Sequence, residues 1–214
     1  MASEERNGGS GELKYIVRTV DFDERRADNV RLLKEQLPEL EIVVDTTRNA
    51  YNGLFLACEM ANEAGAVILE DDVLLCKDFK RRIEEVIAEK GADKVINFFE
   101  KPKVYFPTSY VGGSGFLWMQ CTYFPPNFPR KVIDHYEQFH KERPNDWKGQ
   151  AVDCLVAYAL TKEKMKYWRI RPCLVQHLDF PSAIGRRPTN RQTPYFIDDL
   201  EAKGVEYNDL QPTK

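Results

Sequence analysis

Three adjacent carboxylates, Glu70-Asp71-Asp72, are the residues of this chain best suited to chemistry. The apolar run Ala66-Val67-Ile68-Leu69 leads into them, and Val73-Leu74-Leu75 leads out. The first run reads as a buried strand, so the acids fall where a central strand gives way to a loop. In an open α/β sheet, ligands bind at the carboxyl ends of the strands. Neighbouring acids repel one another and are costly to keep ionised at a partly buried strand end. A divalent cation relieves that cost, and hard oxygen ligands suit Mg2+ or Mn2+. A solvated acidic loop is the plain alternative, against which the flanking strand and following helical run both count. His177, which ends Pro172-Cys173-Leu174-Val175-Gln176-His177, is the second candidate ligand. Neutral imidazole can complete a Mn2+ site beside carboxylates; a histidine satisfied within a loop is the competing reading. His135 and His140, five residues apart on a polar helix, lack ligand spacing and read as solvated.

The elements that must position these groups follow from periodicity. Tyr15-Ile16-Val17 is a first strand and Ile42-Val43-Val44 a second, ending at Asp45. Between them residues 24–37 read as a helix with Val30, Leu33 and Leu37 on one face, stopped by Pro38. Tyr51, Leu54, Phe55, Cys58 and Ala61 repeat at helical spacing over 50–64, and Gly65 closes that helix. A further helix carries Phe79, Ile83, Val86 and Ile87 up to Gly91, and residues 95–98 form a fourth strand. Such alternation predicts an α/β fold, a Rossmann-like nucleotide-binding first half with a mostly parallel central sheet flanked by helices. The second half differs. Residues 101–129 are rich in proline and contain Gly112-Gly113-Ser114-Gly115, so short strands and shaped loops are expected. Helices follow over 130–142 and 150–164, then short strands at 168–170 and 174–176, then an irregular basic stretch with Arg186, Arg187 and Arg191.

Composition narrows the class. With 214 residues and 43% hydrophobic content, one sizeable domain is affordable. Residues 1–11 read as a disordered polar tail and 12–214 as one domain, with a nucleotide-type first half at about 12–100 and a more elaborate second half at about 101–200. A formal charge of −3 provides no global basic field for nucleic acid or an acidic membrane. No apolar run is long enough to span a bilayer, and the first residues lack the apolar core of a signal peptide. Five scattered cysteines without a C-x-x-C pair argue against a disulfide framework or structural zinc. They read as reduced thiols of a cytoplasmic protein without a membrane anchor.

Strand–helix–strand–helix–strand ending in Glu70-Asp71-Asp72 resembles a GT-A glycosyltransferase, and Gly65 to Val73 is similar to the E-D-D form of its metal motif. Small bacterial and phage transferases, including the lipooligosaccharide type of family 25, are the nearest form, and the likeness covers roughly residues 14–185. The resemblance implies transfer of a sugar from a nucleotide-sugar donor, a UDP-sugar by preference, with Mn2+ or Mg2+ on the diphosphate. It implies Asp72 as a metal ligand, His177 as the late histidine that closes the metal site, and Glu70 or Asp71 on the ribose or on a metal-bound water. Arg18 and Thr19 after the first strand, with Asp45 and Asn49 after the second, would meet the donor. Capping of the next helix by Thr47 or Asn49 is the structural alternative. Arg186 and Arg187 would fold over the diphosphate. Gly113, Ser114 and Trp147 fall on the acceptor side, although Gly112–Gly115 also reads as a plain tight turn. Asp153, at the start of the helix built on Val152, Leu155, Val156 and Ala159, would be the general base for the acceptor hydroxyl. An acid there also suits the helix dipole, and Asp146 competes for the role. The resemblance leaves the acceptor hydroxyl open among a glycan, a protein, a small molecule and a hydroxylated base in phage DNA. A nucleotidyltransferase and a catalytically inactive nucleotide-sugar-binding module are the alternatives. The first would want a Gly-rich basic loop after the first strand, where Val20-Asp21-Phe22-Asp23 stands instead.

Overall fold

The computed structural model of the protein describes residues 12–61, 64–101, 107–181 and 191–204. Its first half alternates as the periodicity predicts: β1 (Lys14–Val20), α1 (Glu24–Gln36), β2 (Glu41–Asp45), α2 (Ala50–Ala61) and β3 (Ala66–Glu70). Local chemistry sets the boundaries. The Asp23 carboxylate accepts from the Arg25 N–H at 3.1 Å to start α1. The Asn49 side chain accepts from the Tyr51 N–H at 3.1 Å to start α2, so the capping role is the one Asn49 fills. Gly65, at φ +71°, turns α2 into β3 where a Cβ would lie 2.9 Å from the Phe124 carbonyl oxygen. Only glycine fits both the conformation and the space.

After β3 come β4 (Val73–Leu75), α3 (Phe79–Lys90), β5 (Val95–Asn97), β6 (Ser109–Gly112), a 3-10 turn at Gly113–Gly115, and β7 (Cys121–Phe124). Then α4 (Phe128–Asp134), α5 (Tyr136–Glu142), α6 (Pro144–Lys148), α7 (Val152–Lys162), β8 (Lys166–Arg169), β9 (Val175–His177) and α8 (Ile197–Ala202) complete the described chain. Seven strands form one mixed sheet in the order β2-β1-β3-β7-β5-β8-β6. β1, β2 and β3 are mutually parallel and β8 is parallel to β5, while β7 runs antiparallel to both β3 and β5, and β6 antiparallel to β8. One core packs α1 and α3 against one face through residues such as Leu33, Ile83 and Ile87. The other packs α2, α4, α5 and α7 against the opposite face through Leu54, Val132, Phe139 and Leu155. Each of these side chains, fully buried, stabilises by about 1.5–3 kcal/mol before entropy is counted.

In the sheet, β7 is inserted between β3 and β5. The fold departs from the sequence expectations in three places. The helix expected over 130–142 is two helices that meet at His135. His135 is not simply solvated: its Nε2 lies 2.9 Å from Glu163 Oε1, and Lys131 donates to the same carboxylate at 2.6 Å. A short helix, α8, stands in the stretch expected to be irregular. The tail expected at residues 1–11 lies outside the described residues. All five cysteines are free thiols. Among the described residues no helix is long and apolar enough to cross a membrane.

Candidate functional site

The parallel register of β1 and β3 pairs Arg18 with Glu70. The buried Arg18 guanidinium donates to the Glu70 carboxylate and, at 3.2 Å, to the Ala50 carbonyl at the start of α2. From the opposite side the Gln150 amide oxygen accepts the Ala50 N–H at 2.7 Å. One peptide group therefore ties the first acid of the triplet to the loop before α7. At the end of β2, Asp45 Oδ1 accepts from the Thr47 N–H at 2.9 Å, the Thr47 hydroxyl at 2.6 Å and the Asn52 amide at 3.0 Å. Burial works to raise its pKa, but these hydrogen bonds win and hold the carboxyl below its usual range.

The remaining two acids turn inward. Asp71 and Asp72 are 2% and 6% exposed. Arg26 of α1, itself 4% exposed, spans them: Nη1 donates to Asp71, and Nη2 donates to Asp72 Oδ2 at 3.0 Å and to the Pro181 carbonyl at 3.0 Å. Asn29, one turn along, donates to the carbonyls of Asp71 at 2.8 Å and Val73 at 2.9 Å, fixing the backbone of the acidic turn. Burial, with Asp72 and Glu70 alongside, pushes the Asp71 carboxyl up to about 7 in spite of Arg26. Burial also raises Asp72, against the pull of Arg26 and Arg191.

His177 arrives by strand pairing. β9 lies antiparallel to β4 with His177 opposite Val73, and the Leu178 N–H donates to the Asp72 carbonyl at 2.7 Å. The imidazole is 2% exposed; its Nε2 stands 3.5 Å from Asp72 Oδ2 and its Nδ1 3.8 Å from Asp179 Oδ1. Burial above all, with Arg191 and Arg26 nearby, lowers its pKa to about 4, so the ring is neutral at pH 7. Both ring nitrogens and Asp72 Oδ1 are buried and lack a hydrogen-bond partner among the described residues.

A single cleft at these strand ends is lined by Arg18, Thr19, Asp45, Glu70, Asp71, Asp72, Asp153 and His177. Asp153 stands in the first turn of α7, with Oδ1 accepting the Cys154 N–H at 3.1 Å. The other expected residues fall elsewhere. Asn49 caps α2 outside the cleft lining. Gly113 and Ser114 sit in the 3-10 turn packed on α7, where a Cβ at Gly113 would meet Leu160 Cβ at 2.4 Å. That turn does not line the cleft, and its glycine serves packing. Trp147 lies in α6, but its side chain, like all of Arg186 and Arg187, is outside the described residues.

Sequence reasoning passed over Gln150 and Trp118, whose left-handed backbone at φ +51° and φ +66° composition does not announce. Arg48, which the sequence places where α2 begins and within reach of a nucleotide, lines the cleft at φ +55°. Arg48 lies over the Phe22 ring at 4.4 Å, which makes a flat platform at one wall of the cleft. Arg191 lines it as well. Arg26 was legible: it precedes Val30 by four residues and Leu33 by seven, so it shares the buried stripe of α1.

Among the described residues no three His, Cys, Asp or Glu side chains are gathered as a metal-enclosing group. Asp72 and His177 nonetheless fit a divalent cation. A carboxylate and a neutral imidazole stand together, buried, with lone pairs that no donor meets. Two protein ligands with the remaining positions left to phosphate and water is the pattern that Mg2+ takes with phosphate substrates.

No protein-family model matches the chain, and no curated protein does. Among solved structures it is similar to the crystal structure of A197 from STIV, at 13% identity and a TM-score of 0.49, over 86% of this chain and 98% of that one. A likeness that distant says nothing of what the cleft binds.

Proposed function

We propose that this chain is a metal-dependent glycosyltransferase with a single GT-A-like domain, moving a sugar from a nucleotide-sugar donor, a UDP-sugar by preference, to an acceptor hydroxyl. The observation that carries the reading is the meeting of Asp72 and His177, from distant parts of the chain, in a cleft that also holds Arg18, Asp45, Glu70 and Asp153. Asp72 and His177 would hold Mn2+ or Mg2+, which supplies charge stabilisation for the diphosphate as it departs. The nucleotide would lie along the ends of β1 and β2, against the Phe22–Arg48 platform and the ordered Asp45 corner. Glu70, oriented by Arg18, offers its second oxygen to a ribose hydroxyl. Asp153 in the same cleft would take the proton from the acceptor hydroxyl. The acceptor is of the glycan or hydroxylated-base type; a base in a duplex would need to be turned out of the stack to reach this cleft.

The test is calorimetry of UDP-sugars with and without Mn2+. Donor binding should require the metal in the wild type, and Asp72→Asn should abolish that dependence while the melting transition persists. Equal affinity in both proteins would remove Asp72 from the metal site. One observation favours a second reading, an inactive nucleotide-sugar-binding module: Arg26 already neutralises Asp71 and Asp72. Donor hydrolysis that appears only with Mn2+ separates the transferase from the module.

A further inference from the structure

Arg26 is buried at the centre of the acidic turn. Its guanidinium bridges Asp71 and Asp72 and reaches the Pro181 carbonyl, all inside the protein. Asp72 is the contested carboxylate. Its Oδ2 lies 3.0 Å from Arg26 Nη2 and 3.5 Å from His177 Nε2, so the guanidinium is bonded to the oxygen that faces the unpartnered imidazole. A cation bound by His177 and the unpartnered Oδ1 of Asp72 would share that carboxylate with the guanidinium. Two cations at one buried carboxylate repel strongly, because the low dielectric screens them little. Removing one partner from a buried pair leaves an uncompensated charge, so Arg26 cannot leave these acids unless another cation takes its place. The planar fork that bridges two carboxylates is equally matched to the oxygens of a diphosphate.

We propose that Arg26 is the internal cation of this cleft: it excludes the divalent metal from the donor-free protein and, when a nucleoside diphosphate enters with the metal, passes from the carboxylates to the diphosphate. The inference rests on the metal-site reading above. It makes Arg26 a positioning residue that couples metal binding to donor binding, so metal without donor binds weakly.

The test is Mn2+ titration of the full chain, followed by the free-ion electron paramagnetic signal and by thermal melting, with UDP as the diphosphate probe. Without UDP, Arg26→Gln should bind Mn2+ on the order of tenfold more tightly than the wild type, the usual size of a coupling between sites. UDP should strengthen Mn2+ binding in the wild type more than in the variant. A purely structural role predicts the opposite sign, since a damaged site binds metal less well. Equal or weaker Mn2+ binding by donor-free Arg26→Gln therefore sinks the inference while leaving the metal site intact. If Arg26→Gln does not fold without metal, a cooperative melt restored by Mn2+ supports the proposal, and failure of Mn2+ to restore it overturns it. Absence of Mn2+ binding in both proteins, with and without UDP, overturns the metal-site reading and this inference together.

Discussion

At the scale of single residues, the site is a problem of charge held out of water. Asp71, Asp72 and His177 are all buried, and each has its pKa moved toward the neutral form by burial. Arg26 is the counterweight. Asp153 is different: it lines the cleft part-exposed, in the first turn of α7. Asp153→Asn should leave donor affinity unchanged and slow transfer by about 10²–10⁴-fold, the worth of a positioned general base. Single-turnover kinetics at saturating donor checks this, and an unimpaired rate would shift the role to Asp146 or to a mechanism without a base. Much of this scale could be read beforehand. The triplet announced itself by following an apolar run, and His177 by ending one. Arg26 was overlooked because an arginine in a helix is ordinarily solvated, and only its place on the stripe with Val30 and Leu33 says otherwise.

At the scale of elements, strong periodicity was the readable signal. α1, α2, α3 and the first three strands fall within a few residues of where apolar spacing put them. β7 could not be found that way. Cys121-Thr122-Tyr123-Phe124 is four residues long, followed by Pro125-Pro126, and buried throughout, so it shows neither alternation nor helical spacing. Its partner is set by register with Leu69 and its neighbours, a long-range fact that no local window contains. The Gly113 turn carried two readings, ligand approach and a tight turn, and its close packing on Leu160 fits the second. Gly113→Ala should cost about 1–3 kcal/mol by overpacking against Leu160. Its donor binding should match the wild type once the protein is kept below its lowered melting point. Urea denaturation beside UDP calorimetry reads both, and a donor-binding loss without a stability loss would return this turn to the site.

At the scale of the whole molecule, the first and second halves of the chain share one sheet. β7 and β8 come from the second half, yet β7 lies between β3 and β5 of the first. A fragment ending near residue 100 should therefore lack a cooperative melt, because β3 and β5 lose the strand that joins them. Circular dichroism of that fragment is the check, and a sharp transition would show that the first half folds alone. The cleft depends on the same interleaving: His177 reaches Asp72 only through the pairing of β9 with β4.

That inserted strand also dictates what happens while the chain is being made. Translation delivers β1, β2 and β3 first, with Ile68 and Leu69 forming an apolar edge that has no neighbour until Cys121 to Phe124 emerge. At roughly 5–20 residues per second the nascent chain carries that bare edge for some seconds. An unpaired apolar strand edge is a template for pairing with another chain. The interval between β3 and β7 is therefore the stretch of synthesis in which this chain is most open to pairing with another copy.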